Sequence, residues 1–139
     1  MRNSYFTHIE CTFCGKTYSK EEPQGTCKAC HMVLYPRYNL EAAKRKFRPD
    51  LLASRPPSMW RYFEMMPVLD ETNVVTLGEG FTPIIKAQTL GCRLGCTDLF
   101  IKDEGINPTA SFKARGLSVA VSKAKELGIK RLTMPSAGN

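Results

Sequence analysis

Glu104-Gly105-Ile106-Asn107-Pro108-Thr109-Ala110-Ser111-Phe112-Lys113-Ala114-Arg115-Gly116 is the stretch whose reading decides the fold. A predicted strand, Leu99-Phe100-Ile101-Lys102, ends just before it. A loop containing Pro108 follows, and a helix opens with a lysine in its first turn. Protonated amines are disfavoured at the positive end of a helix, and burial disfavours them further. An amine biased toward its neutral form can condense with a carbonyl cofactor. Spacing alone leaves the reading of Lys113 as a solvated lysine near a helix start ahead, so the flanking chain has to decide.

Outward on the C-terminal side, Ser111 is a good N-cap, and Leu117, Ala120, Val121, Ala124 and Leu127 recur at helical spacing. Gly128 supplies the stop. A short strand is expected around Arg131-Leu132-Thr133-Met134, followed by the loop Ser136-Ala137-Gly138-Asn139. Strand, helix and strand with short joins predict a βαβ unit on a parallel sheet with a right-handed crossover. Ligands in such sheets gather at the carboxyl ends of the strands, which would bring the Lys113 loop and the Ser136 to Asn139 loop to one edge. Backbone amides of the second loop and the Asn139 side chain suit an anion there.

On the N-terminal side, Val74-Val75-Thr76-Leu77 has strand composition and Gly78-Glu79-Gly80 breaks it. Phe81-Thr82-Pro83-Ile84-Ile85 resumes in extended form, because Pro83 steers Thr82 away from helical angles. Gly91-Cys92-Arg93-Leu94-Gly95-Cys96 reads as a turn-rich connection, with Cys92 and Cys96 as isolated thiols. Upstream, Asn39 is placed to cap a helix over Leu40 to Phe47 that Pro49 ends. Arg55-Pro56-Pro57-Ser58 reads as a linker, and Met59 to Met66 as a short packing helix with Trp60, Tyr62 and Phe63 as core or interface anchors.

The first segment carries Cys11-Thr12-Phe13-Cys14 and Cys27-Lys28-Ala29-Cys30, two Cys-x2-Cys pairs separated by twelve residues. Two such turns can complete a tetrahedral thiolate site for zinc. The segment is too short to fold on an apolar core alone, so a metal there would be structural. Two disulfides or four free thiols are the competing readings, and a reducing compartment disfavours the first. His31 follows Cys30 and reads as a surface histidine rather than a substitute ligand.

The 139 residues carry a formal net charge of +7, with 42% hydrophobic residues. That is enough apolar content for a core and argues against disorder. No apolar run approaches a membrane span and no secretory leader pattern opens the chain, so the expectation is a soluble cytoplasmic protein. The basic charge raises a nucleic-acid-binding reading, a zinc ribbon with a helical tail. Four thiolates around one divalent cation would lower the charge by two, however, and the basic residues are dispersed apart from Lys44-Arg45-Lys46-Phe47-Arg48.

Asn107-Pro108-Thr109-Ala110-Ser111-Phe112-Lys113-Ala114-Arg115-Gly116 resembles the cofactor-lysine motif of fold-type II pyridoxal-phosphate enzymes, the tryptophan synthase beta-like family. Ser136-Ala137-Gly138-Asn139 is similar to their substrate-carboxylate loop. Met59-Trp60-Arg61-Tyr62, Leu77-Gly78-Glu79-Gly80-Phe81-Thr82-Pro83 and the four-cysteine ribbon most resemble the threonine synthases of that group. The resemblance implies that Lys113 carries pyridoxal 5'-phosphate and shuttles protons. It implies that Asn139 bonds the cofactor's 3′-oxygen, and that Ser136, Ala137, Gly138 and Asn139 hold the carboxylate of a small amino-acid substrate. For a threonine synthase that substrate is O-phospho-L-homoserine, converted with water to L-threonine and phosphate. Cysteate synthase and threonine ammonia-lyase are sibling readings. No nucleic acid or membrane is implied, and a homo-oligomer is compatible with it. Ala110 stands where glycine is more usual. The expected architecture is α/β: a zinc-ribbon-like segment over 1–38, a helical linker over 39–72, and the start of the cofactor-binding parallel-sheet domain over 73–139. The glycine-rich phosphate loop and the partner of the pyridine nitrogen would follow Asn139, so the chain reads as the N-terminal portion of a longer enzyme, inactive alone.

Overall fold

The structure is a computed structural model and describes residues 2–135. The first sheet is built from β1 (Phe6–Cys11), β2 (Thr17–Tyr18) and β3 (Leu34–Tyr38), in the order β2-β1-β3. Both pairings are antiparallel, with Ile9 opposite Tyr18 and also opposite Pro36. Pro36 lacks an amide donor and is tolerated because β3 is an edge strand. Glu10 ties the strands across the face, accepting from Arg37 at 2.8 and 3.0 Å and from the Tyr35 hydroxyl at 3.1 Å. The Arg37 guanidinium holds the Glu10 carboxyl down at about 2. Cys11 ends β1 opposite Leu34 at the start of β3, which brings the two cysteine turns together.

Helix α1 (Leu40–Lys46) begins as its sequence requires: the Asn39 side chain accepts from the Ala42 amide at 2.9 Å. A short α2 (Asp50–Ala53) follows Pro49. Met59–Met65 then forms a 3-10 helix that carries the core, where Met59, Trp60, Phe63 and Val68 are buried with Met66, Val74 and Val119 against them. Tyr62 is exposed, its ring centroid 6.3 Å from that of Phe47, because the helix kinks there and turns it outward. Glu64, buried on this helix, takes two hydrogen bonds from Arg55 at 2.6 and 2.8 Å. Burial pushes its pKa up, but the guanidinium outweighs that and holds it below the ordinary value.

The second sheet pairs β4 (Ile84–Lys86) with β5 (Phe100–Lys102), again antiparallel, with Ile85 opposite Ile101. Between them lies helix α3 (Gln88–Leu94), where a turn-rich connection was expected. Its end explains the glycines: Gly95 takes a left-handed φ of 69°, and the Cys96 amide closes onto the Gly91 carbonyl at 2.8 Å. A Cβ on Gly91 would meet the Cys96 carbonyl oxygen at 2.5 Å. Cys92 and Cys96 are both exposed free thiols.

Helix α4 (Lys113–Glu126) is the longest element, and Gly128 stops it with a φ of 71°. Its buried face differs from the expected apolar stripe. Ala114, Ser118, Ser122 and Ala124 are buried, whereas Leu117 is 36% exposed. The two serines face Val75: its amide donates to Ser122 Oγ at 2.8 Å and its carbonyl accepts from Ser118 Oγ at 2.7 Å. These bonds also explain why Val74 to Leu77 is not a strand, since hydroxyls on α4 occupy the backbone groups that a neighbouring strand would use. Residues 131–134 likewise form no strand. Among the described residues all three strand pairings are antiparallel, so the expected parallel βαβ unit around α4 is not formed there. Without a paired neighbour, the strand composition of that segment has no ladder to join. The mixed α/β class stands. No helix among the described residues is long and apolar enough to cross a membrane.

Candidate functional site

Between β5 and α4 the chain is folded by its own polar side chains. Asp103 Oδ1 accepts from the Gly105 amide at 3.0 Å and opens a 3-10 turn over Glu104–Ile106. The Glu104 carboxylate then gathers four donors. Arg115 reaches it from α4 at 2.7 and 2.8 Å, Thr82 Oγ1 donates at 2.6 Å, and Asn107 Nδ2 at 3.0 Å. Arg115 foremost, then Thr82, holds the Glu104 pKa far below the usual carboxylate range. Asn107 is buried and uses its other end as well, accepting the Gly80 amide at 3.0 Å. Three segments that are distant in sequence are thereby locked around the loop before Lys113.

Gly78-Glu79-Gly80 forms the other wall. Gly80 has a φ of 99°, and a Cβ there would lie 2.5 Å from the Met59 amide nitrogen, so only glycine fits. Glu79, 2% exposed, accepts from Trp60 Nε1 at 3.1 Å, Thr76 Oγ1 at 2.8 Å and the Leu77 amide at 2.9 Å. Burial pushes its pKa up, and Ser118 first, then the backbone amides and Thr76, more than offset it. The loop then turns tightly, with the Ala110 amide on the Asn107 carbonyl at 2.7 Å and Ala110 in the left-handed region at φ 52°. Ser111 is buried, and its Oγ accepts the Lys113 amide at 3.3 Å, but the residue that caps α4 is Phe112, without a side-chain cap bond, rather than Ser111 as expected.

Lys113 is the first residue of α4 and half-buried. It lines an open cavity of about 530 Å³ whose walls are Phe112, Arg115, Gly116, Leu117, Ala120, Met134 and Pro135. The expected partners Ser136, Ala137, Gly138 and Asn139 lie outside the described residues. Sequence reasoning missed Glu79, Thr82, Glu104, Asn107 and Arg115 as the frame of this loop. A carboxylate and a guanidinium flanking the lysine motif were the available signal.

The second constellation is the cysteine cluster. The sulfurs of Cys11, Cys14, Cys27 and Cys30 all lie within 4.8 Å of one another, with Cys11 and Cys30 at 3.4 Å and Cys14 and Cys27 at 3.6 Å. A tetrahedral thiolate site with metal–sulfur bonds of about 2.3 Å has sulfur–sulfur edges of about 3.8 Å, so the set fits a metal ion. The two turns are near copies. The Phe13 and Ala29 amides each donate to the first sulfur of their pair at 3.4 Å. The Gly15 and His31 amides close back onto the Cys11 and Cys27 carbonyls, with left-handed φ of 71° and 59°. His31 therefore occupies the position that glycine fills in the first turn, and it is not among the clustered ligands. The thiols also repel one another's ionisation. Cys27 is drawn down to about 5, first by the Tyr18 hydroxyl, while Cys30, favoured by the Met32 amide but opposed by burial and its sulfur neighbours, is pushed up to about 12. Four sulfurs at this spacing could hold a metal ion.

Residues 75–139 match the family described as pyridoxal-phosphate dependent enzyme. The whole chain is threonine synthase-like in sequence. It is 43% identical over 129 residues to the threonine synthase of Methanocaldococcus jannaschii, covering 93% of this chain and 32% of that protein. Against the threonine synthase of Methanosarcina acetivorans it is 39% identical over 132 residues, covering 95% and 32%. Against that of Synechocystis it is 49% identical over 79 residues, covering 56% and 21%. The chain thus spans about a third of the length of the first two relatives. The family that this region matches implies pyridoxal phosphate as its cofactor. The residues present fit it: an amine at a helix start, on the wall of an open and largely apolar cavity, behind a loop locked by buried polar bonds.

Proposed function

We propose that the chain is the cofactor-lysine portion of a threonine synthase-like enzyme that converts O-phospho-L-homoserine and water to L-threonine and phosphate. The single observation that carries this reading is the placement of Lys113. It stands at the start of α4 beside the cavity, with its preceding loop held by Glu104, Arg115, Asn107 and Gly80. When bound, pyridoxal phosphate supplies an electron sink for the substrate's α-carbon. Lys113 Nζ would hold the cofactor's aldehyde and would serve as the base that moves protons at the substrate carbons. The Ser136 to Asn139 loop takes the substrate carboxylate, and Asn139 the cofactor's 3′-oxygen. Asn107 and Glu104 hold the loop that precedes Lys113 and so fix the direction from which it enters.

Cys11, Cys14, Cys27 and Cys30 hold a structural zinc ion, since four sulfur ligands leave no open position for chemistry. Residues 1–38 form the metal-bearing segment, 39–72 a helical linker and 73–139 the start of the cofactor domain. The 139 residues alone do not turn over, because the relatives that carry the printed activity are about three times as long. The protein works in the cytoplasm on a small amino-acid substrate. The test is product analysis with the full-length protein and O-phospho-L-homoserine. Release of phosphate with stoichiometric threonine is expected, and no phosphate release ends this assignment.

A further inference from the structure

The two cysteine turns match in their backbone but not in what else reaches their sulfurs. Cys11 Sγ faces the Phe13 and Cys14 amides at 3.4 and 3.5 Å. Cys27 Sγ has the corresponding Ala29 amide, and in addition the hydroxyl of Tyr18 at 3.1 Å. A Cys27 thiolate, the form that binds a metal, has no proton to give, so Tyr18 is the donor of that contact. The Lys28 amide donates to Tyr18 Oη at 2.9 Å, which holds the hydroxyl beside the sulfur while its own proton stays available to donate. Tyr18 is itself held in β2, opposite Ile9 of the strand that ends in Cys11. One side chain therefore bridges the first hairpin to the second cysteine turn.

We propose that Tyr18 is a positioning residue of the metal site. Its O–H withdraws charge from the Cys27 thiolate and stabilises the dianionic cluster that four thiolates make with a divalent cation. This inference rests on the reading of the four cysteines as a metal site. Partners that hydrogen-bond to metal ligands typically tune affinity by about 10- to 100-fold, and only one of the four sulfurs has a hydroxyl donor among the described residues.

The test loads the full-length protein with Co²⁺ and compares it with Tyr18→Phe, which keeps the ring and removes only the donor. The thiolate-to-cobalt charge-transfer band should move to lower energy, because the Cys27 sulfur becomes a better electron donor. Competition with a chelator should show about a tenfold weaker affinity. A purely structural role for the ring would move neither reading. As a second variant that cannot fail through lost packing, 3-fluorotyrosine at position 18 has a more acidic hydroxyl and should shift the band to higher energy. Unchanged band position and affinity in both variants would overturn the proposal. If the wild-type protein gives no charge-transfer band at all, the metal reading itself falls, and this inference with it.

Discussion

Replacing Glu104 with Gln removes one charge at the centre of the loop clamp while keeping the shape of the side chain. In the wild-type chain its two oxygens take four donors, from Arg115 twice, Thr82 and Asn107. An amide retains one acceptor oxygen and turns an NH₂ toward the donors on the other side. Hydrogen bonds to a charged group contribute about 1.5–3 kcal/mol each when well buried. Here the Arg115 and Glu104 side chains are 32% and 25% exposed, which lowers the ion-pair share toward the surface value of about 0–1 kcal/mol. The expected loss for Glu104→Gln is about 2 kcal/mol, or a melting temperature lower by about 8 °C. Urea unfolding can be followed through Trp60, the single tryptophan and a core residue, as a lower midpoint with unchanged slope. The pH dependence adds a second reading. The folded-state pKa of Glu104 is depressed, so its contribution is complete above the unfolded value of about 4.3 and lost as the pH falls through the folded value. The gap between wild type and variant should be constant from pH 6 to 8 and shrink in strong acid. A gap that is absent, or that persists unchanged at the lowest pH where the chain stays folded, would refute this reasoning.

Three glycine-related positions give further outcomes. Gly80→Ala places a Cβ against the Met59 backbone nitrogen in a left-handed conformation and should cost about 3 kcal/mol in the same urea titration; a loss under 1 kcal/mol would mean the close approach is wrong. Ala110→Gly relieves the φ of 52° and should stabilise by about 1 kcal/mol, and destabilisation would show the loop is held otherwise. His31→Gly should leave metal affinity intact and raise stability by about 1 kcal/mol, judged by chelator titration and melting. Loss of metal would make His31 a ligand.

Local rules read well from the chain. The Asn39 cap, the strand at Phe100–Lys102 and the Gly128 stop each depend on neighbours within a few residues. The two cysteine pairs were legible because metal spacing is itself a local rule, and the structure brings all four sulfurs together. The failures share a cause in long-range polar bonding. The buried face of α4 runs through Ser118 and Ser122 because they bond Val75, more than forty residues away, and an apolar stripe gives no hint of that. The same bonds cancel the strand expected at Val74 to Leu77. Helix α3 was hidden by its glycines, one of which is required by the close of the helix rather than by a turn. The motif pointed to Lys113, but not to the side chains that hold its loop, since Glu104 and Asn107 meet Thr82 and Gly80 only in three dimensions.

The central claim is that Lys113 is the cofactor lysine. Borohydride reduction of the full-length, cofactor-loaded protein, followed by peptide mapping, tests it most directly. A pyridoxyl group on Lys113 is the result expected, and the same label on any other lysine would contradict it.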